Sequence, residues 1–153
     1  MNIETLYLAF YSYFLGSIPF GLILTKFFLK KDLREIGSGN IGATNVLRTG
    51  KKYLGAFTLI LDGLKAYTAV IITNKYFPDY IYLSALLCFL GHIFPIWLKF
   101  KGGKGVAVFL GILFALSVNF AIIFLISWSL ILFLSRYSSI SSLISSGIIF
   151  LYS

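Results

Sequence analysis

The chain has 153 residues, 59% of them hydrophobic and 12% charged, with a formal net charge of +8. A soluble domain is about a quarter charged, so this composition excludes an ordinary water-soluble globule and points to an integral membrane protein. The basic residues lie between apolar segments, which excludes a nucleic-acid binder and leaves a membrane surface or an anionic small molecule to meet the charge.

The first apolar run, "MNIETLYLAFYSYFLGSIPFGLILTKFF", has Glu4 near its start and no basic residue before Lys26. That order is the reverse of a cleaved secretory signal, and it predicts a first spanning helix over 5–27 with its N-terminus outside. A bilayer core takes roughly 20 apolar residues in a helix. Further runs at 53–74, 79–98, 106–135 and 139–152 complete an all-α, polytopic transmembrane bundle of five to six membrane helices. The fourth run is long for one upright helix, and "ALSVNFA" (115–121) either breaks it or sits in a long tilted helix. No repeat or second domain is visible, so 1–153 reads as a single integral membrane domain.

Charge sets the orientation. Seven of the 13 Lys and Arg residues fall in 26–52 (Lys26, Lys30, Lys31, Arg34, Arg48, Lys51, Lys52), and three more are Lys99, Lys101 and Lys104. Two crossings separate these loops, so both lie on one side, which the positive-inside rule makes cytoplasmic. The connection "NKYFPDY" (74–80) then faces out.

The first basic loop contains "EIGSGNIGATNVLRTGKK" (35–52). Gly37-Ser38-Gly39-Asn40-Ile41-Gly42 matches G-x-G-x-x-G, but that fingerprint needs a strand before it and a helix after it in a βαβ unit. Its flanks here are membrane segments. The Walker pattern fails as well, because Ala43 follows Gly42 where a lysine is required. What the residues do suggest is a backbone nest: Gly37, Gly39 and Gly42 let N–H groups turn toward an anion. Ser38, Asn40, Thr44 and Asn45 add neutral donors, and Arg48 with Lys51 or Lys52 adds charge. The second loop places Gly102-Gly103-Lys104-Gly105 directly before an apolar helix, the arrangement of a phosphate cradle. Two such loops on one face suggest one shared site, or one ligand with more than one phosphate.

Polar residues inside the apolar runs come next. His92 reads as a base, a ligand donor or a satisfied core histidine. Asp62 and Lys65, three apart on one helical face, can pair and face the bundle interior as a clamp or a site wall. Arg136 lies at a helix end and can snorkel. The single cysteine, Cys88, lies in an apolar run and has no disulfide partner in the chain. Neither a metal nor a cofactor is expected.

"GSIPFG" (16–21), "GSGNIGATNVLRTGKK" (37–52), "LDGLK" (61–65), "GHIFPIWLKFKGGKGVA" (91–107) and "RYSSISSL" (136–143) follow one another in order. In these motifs the chain resembles the bacterial membrane glycerol-3-phosphate acyltransferases that use an acyl-phosphate donor. The resemblance implies acyl transfer from acyl phosphate to the 1-hydroxyl of glycerol 3-phosphate, giving lysophosphatidate and phosphate in the inner membrane. It implies Ser38, Asn40, Asn45 and Arg48 as site residues of the first motif. From the second it implies His92 and the Gly102–Gly105 loop with Lys104. Ser38, Arg48, His92 and Lys104 form the expected catalytic set, and Gly37, Ser38, Gly39, Asn40, Gly42, Asn45, Arg48, Gly102, Gly103, Lys104 and Gly105 the expected substrate- and phosphate-binding set. A third family motif near the C-terminus, with His, Asn, Arg and Glu, has no match here. The chain is therefore read as C-terminally short, with a fragment or an inactive remnant as the alternative to an active enzyme.

The histidine-aspartate dyad of many glycerolipid acyltransferases is absent, since the fifth residue after His92 is Trp97. An acyl phosphate relaxes that need, because phosphate leaves without a strong general acid. Direct transfer without an acyl-enzyme is expected, driven by positioning and oxyanion donors. A transporter of a phosphorylated metabolite is the rival of another class; it calls for a midplane site and an inverted repeat.

Overall fold

A computed structural model describes residues 3–152. Met1, Asn2 and Ser153, which the single-domain reading includes, lie outside the described residues. Those residues form eight α-helices and short 3-10 turns, with no strand among them. The helices are α1 (Ile3–Gly16), α2 (Phe20–Leu29), α3 (Ala43–Leu47), α4 (Lys52–Tyr76), α5 (Ile81–Ile93), α6 (Val106–Leu116), α7 (Val118–Ser135) and α8 (Ser138–Tyr152).

The run expected as one helix over 5–27 is two, α1 and α2, bent by 41° at Ser17–Pro19. Pro19 has no N–H to continue the ladder and disfavours a helical residue before it. The long fourth run also breaks. Ser117 is extended (φ −160°) and its hydroxyl accepts from the Phe120 N–H, which starts α7 as a new helix. By length and composition α4, the 78–98 segment and α7 can each cross a membrane, and the bent α1–α2 pair makes a fourth. Reaching five or six requires the shorter apolar helices α6 and α8 as well.

Inside a bilayer apolar side chains gain little by leaving lipid, so helices associate through close backbone packing and hydrogen bonds. That principle is visible at two crossings. A Cβ added to Gly16 of α1 would lie 2.1 Å from the Cys88 carbonyl oxygen of α5, and one on Gly91 would lie 2.2 Å from the Tyr13 carbonyl. Ser12 and Ser84 share a hydrogen bond of 2.8 Å between the same two helices. Gly111 of α6 meets α4 similarly, its added Cβ falling 2.1 Å from the Gly63 carbonyl oxygen. The pairings 12 with 84 and 16 with 88 make α1 and α5 parallel.

The interior face of α4 carries Leu54, Thr58, Asp62, the neighbours Lys65 and Ala66, then Ala69 and Thr73, so that each turn of the helix places a residue there. Its hydroxyls stay satisfied by bonding back one turn, Thr58 to the Leu54 carbonyl (2.8 Å) and Thr73 to the Ala69 carbonyl (2.9 Å). On α7, by contrast, Ile126, Leu130, Phe133 and Leu134 are exposed, as a lipid-facing surface requires.

Candidate active site

The two glycine-rich loops lie at the same end of the bundle. Leu33, Ile41, Val46 and Leu54 form a buried cluster under the first loop, and Leu98 from the start of the second packs against it.

The first loop is organised by Asn45. Its Oδ1 accepts from the Ser38 N–H (3.1 Å), and its Nδ2 donates to the carbonyls of Leu33 (3.1 Å), Ile36 (2.9 Å) and Asn40 (2.8 Å). A buried amide serving four backbone groups is a hub, and it leaves no donor for a ligand. Asn40 Oδ1 accepts from the Gly42 N–H at 2.9 Å, and the Gly39 N–H bonds to the Ile36 carbonyl at 3.0 Å. The loop thus differs from the expected nest: the N–H groups of Ser38, Gly39 and Gly42 close the loop on itself. It presents side chains instead. Gly37 has φ +54°, and a Cβ there would fall 2.6 Å from Arg48 Cδ, so Arg48 lies across this left-handed glycine. Ser38, Arg48, Lys51 and Lys52 are exposed. At the loop's entrance Asp32 caps the turn Leu33–Glu35 and pairs with Arg34 at 2.6 Å. The hydrogen bond from the Arg34 side chain is the main reason the Asp32 carboxyl is held down at about 2.

The second loop splits into two halves. The Gly102 and Gly103 N–H groups bond to the carbonyls of Ile93 and His92, each at 3.0 Å, so these glycines anchor the loop to the end of α5. The first intrahelical bond of α6 runs from the Phe109 N–H to the Gly105 carbonyl at 2.7 Å, and no side chain caps that helix. The N–H groups from Gly105 to Val108 have no intrahelical acceptor and lie at the positive end of the helix dipole. Lys104 beside them is exposed.

His92 is buried beneath this loop, 4% exposed. Its Nδ1 lies 3.0 Å from Lys65 Nζ, and the other edge of its ring faces Gly103, where an added Cβ would sit 2.1 Å from Nε2. Lys65 Nζ also donates to the Ile18 carbonyl (2.6 Å) and lies 2.7 Å from Asp62 Oδ1. The approach at Asp62 falls outside hydrogen-bonding geometry, leaving Oδ1 without a hydrogen bond, so that contact is ionic.

The profile of the family described as "Glycerol-3-phosphate acyltransferase" matches residues 6–153. The chain belongs to the glycerol-3-phosphate acyltransferase family. A glycerol-3-phosphate acyltransferase of Pelagibacter ubique (strain HTCC1062) is 58% identical over 149 residues, 97% of this chain and 78% of that protein. One from Mesorhizobium japonicum is 53% identical over 139 residues, 91% of this chain and 71% of that protein. Among solved structures, PlsY (YgiH), an integral membrane glycerol 3-phosphate acyltransferase, superposes in its glycerol 3-phosphate form with a TM-score of 0.91. That match has 39% identity and covers 97% of this chain and 76% of that one. Its lysophosphatidic acid form gives 0.88 at 38% identity, over 97% of this chain and 75% of that one. Membership in this acyltransferase family leaves the transporter alternative without support.

Within this acyltransferase fold, Gly37, Ser38, Asn40, Asn45 and Arg48 come together in one loop, and His92 joins Gly102 and Gly103 in the other. An apolar groove of about 430 Å³ opens between α4 and α6, lined by Leu59, Leu64, Tyr67, Leu110 and Phe114 among others. It reaches Ala107, two residues past Gly105. Sequence reasoning paired Asp62 with Lys65 but missed the reach of Lys65 to His92 and to Ile18. The available signal was three ionisable residues in apolar segments, each in need of a partner.

Proposed function

We propose that the chain transfers an acyl group from an acyl phosphate to the 1-hydroxyl of sn-glycerol 3-phosphate, releasing inorganic phosphate. The setting is the cytoplasmic face of a bacterial inner membrane. The observation that carries this reading is an exposed cationic loop and an uncapped helix N-terminus at one end of the bundle, beside an apolar groove. The N–H groups of Gly105–Val108 and Lys104 receive the donor phosphate. Ser38 and Arg48, with Lys51 or Lys52, take the phosphate of glycerol 3-phosphate. The groove takes the acyl chain, which enters beside the phosphate loop at Ala107.

In the reaction the glycerol 1-oxygen bonds to the acyl carbon, the bond from that carbon to the phosphate oxygen breaks, and the hydroxyl proton passes to the departing phosphate. The chain's own work is to align two anions and to stabilise the oxyanion; removing one such donor costs about 3 kcal/mol in other enzymes. We read His92 as a support of the phosphate loop and not as the base, since its Nδ1 lies 3.0 Å from Lys65 Nζ and is engaged there.

The test is a single turnover of protein in lipid with glycerol 3-phosphate and acyl phosphate labelled in the acyl group. The label should pass directly into lysophosphatidate, with one phosphate released per product. An acylated protein captured on the way, or no product from folded protein, refutes the reading.

A further inference from the structure

We propose that Lys65 and Asp62 are positioning residues that fix the tautomer of His92 and, through its ring, the shape of the Gly102–Gly105 loop. The proposal rests on the reading of that loop as the phosphate site.

Three elements converge on one ammonium. Lys65 Nζ lies 2.6 Å from the Ile18 carbonyl, 2.7 Å from Asp62 Oδ1 and 3.0 Å from His92 Nδ1. The Ile18 carbonyl is at the α1–α2 break, where Pro19 supplies no donor. The side chains of Lys65 and Asp62 are 1% and 3% exposed, so both are closed to bulk water. An ammonium offers hydrogens and no lone pair, so His92 Nδ1 is the acceptor and a neutral ring carries its hydrogen on Nε2. That nitrogen faces Gly103, where only a glycine fits. The backbone of the same histidine completes the link, since its carbonyl accepts the Gly103 N–H at 3.0 Å. Turning the ring or exchanging its tautomer therefore moves the loop that presents Lys104 and the start of α6.

A buried ion pair is weak evidence for stability, because apolar residues of similar volume often serve as well. A merely structural pair would thus be replaceable without effect on anion binding. This pair would not, because its third partner is the histidine under the loop.

The chain contains a single histidine, so nitrogen NMR of histidine-labelled protein reads His92 alone. The variants are Lys65→Met, and Asp62→Asn with Lys65→Met, the second leaving no unpaired charge should the first fail to fold. In the unaltered protein Nε2 should carry the proton and Nδ1 should be bare. In the double variant the tautomer should become mixed, and inhibition by inorganic phosphate should weaken about tenfold or more, in line with small misplacements in other sites. A thermal transition that persists shows that the fold is kept. An unchanged tautomer, or a changed tautomer with unchanged phosphate inhibition, overturns the proposal alone. Absence of phosphate inhibition in the unaltered protein overturns the phosphate-loop reading and this proposal together.

Discussion

At the scale of single residues, the site separates those that build the loops from those that face outward. Asn45 and Arg48 are three apart, yet one is buried in four hydrogen bonds and the other is exposed. Asn45→Ala should lower stability by about 1–3 kcal/mol through orphaned backbone groups. Arg48→Ala should leave the thermal midpoint within error while raising KM for glycerol 3-phosphate. Parallel melting curves and kinetics check this, and a stable Asn45 variant or an unaffected KM for Arg48→Ala would contradict it. Asp32 supplies a pH test. Its folded-state value of about 2 lies below the ordinary carboxylate value of about 3.9, so its contribution is whole above that range. The contribution disappears as pH falls through 2. Asp32→Asn should therefore lower the midpoint slightly at pH 6 and leave it unchanged near pH 2. A gap that widens on acidification would contradict the assignment.

At the scale of elements, apolar length located the membrane segments and marked the fourth run as long enough to break, as it does at Ser117, but it did not reveal the bend in the first. The α4 boundaries were legible because 25 residues of helix span about 37 Å, enough for a hydrocarbon core. The bend at Ser17–Pro19 was not, since the apolar run continues through it and only the proline marks the break. The helix crossings were hidden as well. Gly16 and Gly111 look alike in sequence to any other glycine, and it is the carbonyl of a neighbouring helix that forbids a side chain there. Gly16→Val should cost about 1–3 kcal/mol by overpacking, and Gly50→Ala, with nothing near its added Cβ, should cost less despite its positive φ. Denaturation of the two variants in the same detergent checks the order. If Gly16→Val proved the milder change, the α1–α5 crossing would be drawn wrongly.

At the scale of the whole molecule, charge asymmetry in the sequence put both basic loops on one side, and in the structure they share one end of the bundle. The composition of the two candidate loops was legible, because Gly, Asn, Arg and Lys gather there between apolar segments. The use of each N–H was not, since a glycine permits an inward N–H without saying which carbonyl will claim it. Nor was the contact of Lys65 with His92, 27 residues away and joined only by the packing of α4 on α5. The proposed orientation has its own test. Lys51→Cys and Asp79→Cys, both at exposed positions, report from opposite ends, and buried Cys88 adds no background. An impermeant maleimide should label Asp79→Cys in intact cells and Lys51→Cys only after permeabilisation; the reverse pattern would invert the topology.

The central claim concerns the donor, and it is tested by offering acyl phosphate, acyl-carrier-protein thioester and acyl-CoA in turn to the purified protein with glycerol 3-phosphate. Lysophosphatidate should form from acyl phosphate alone, with phosphate released in equal amount. Turnover with acyl-CoA and none with acyl phosphate would contradict the account.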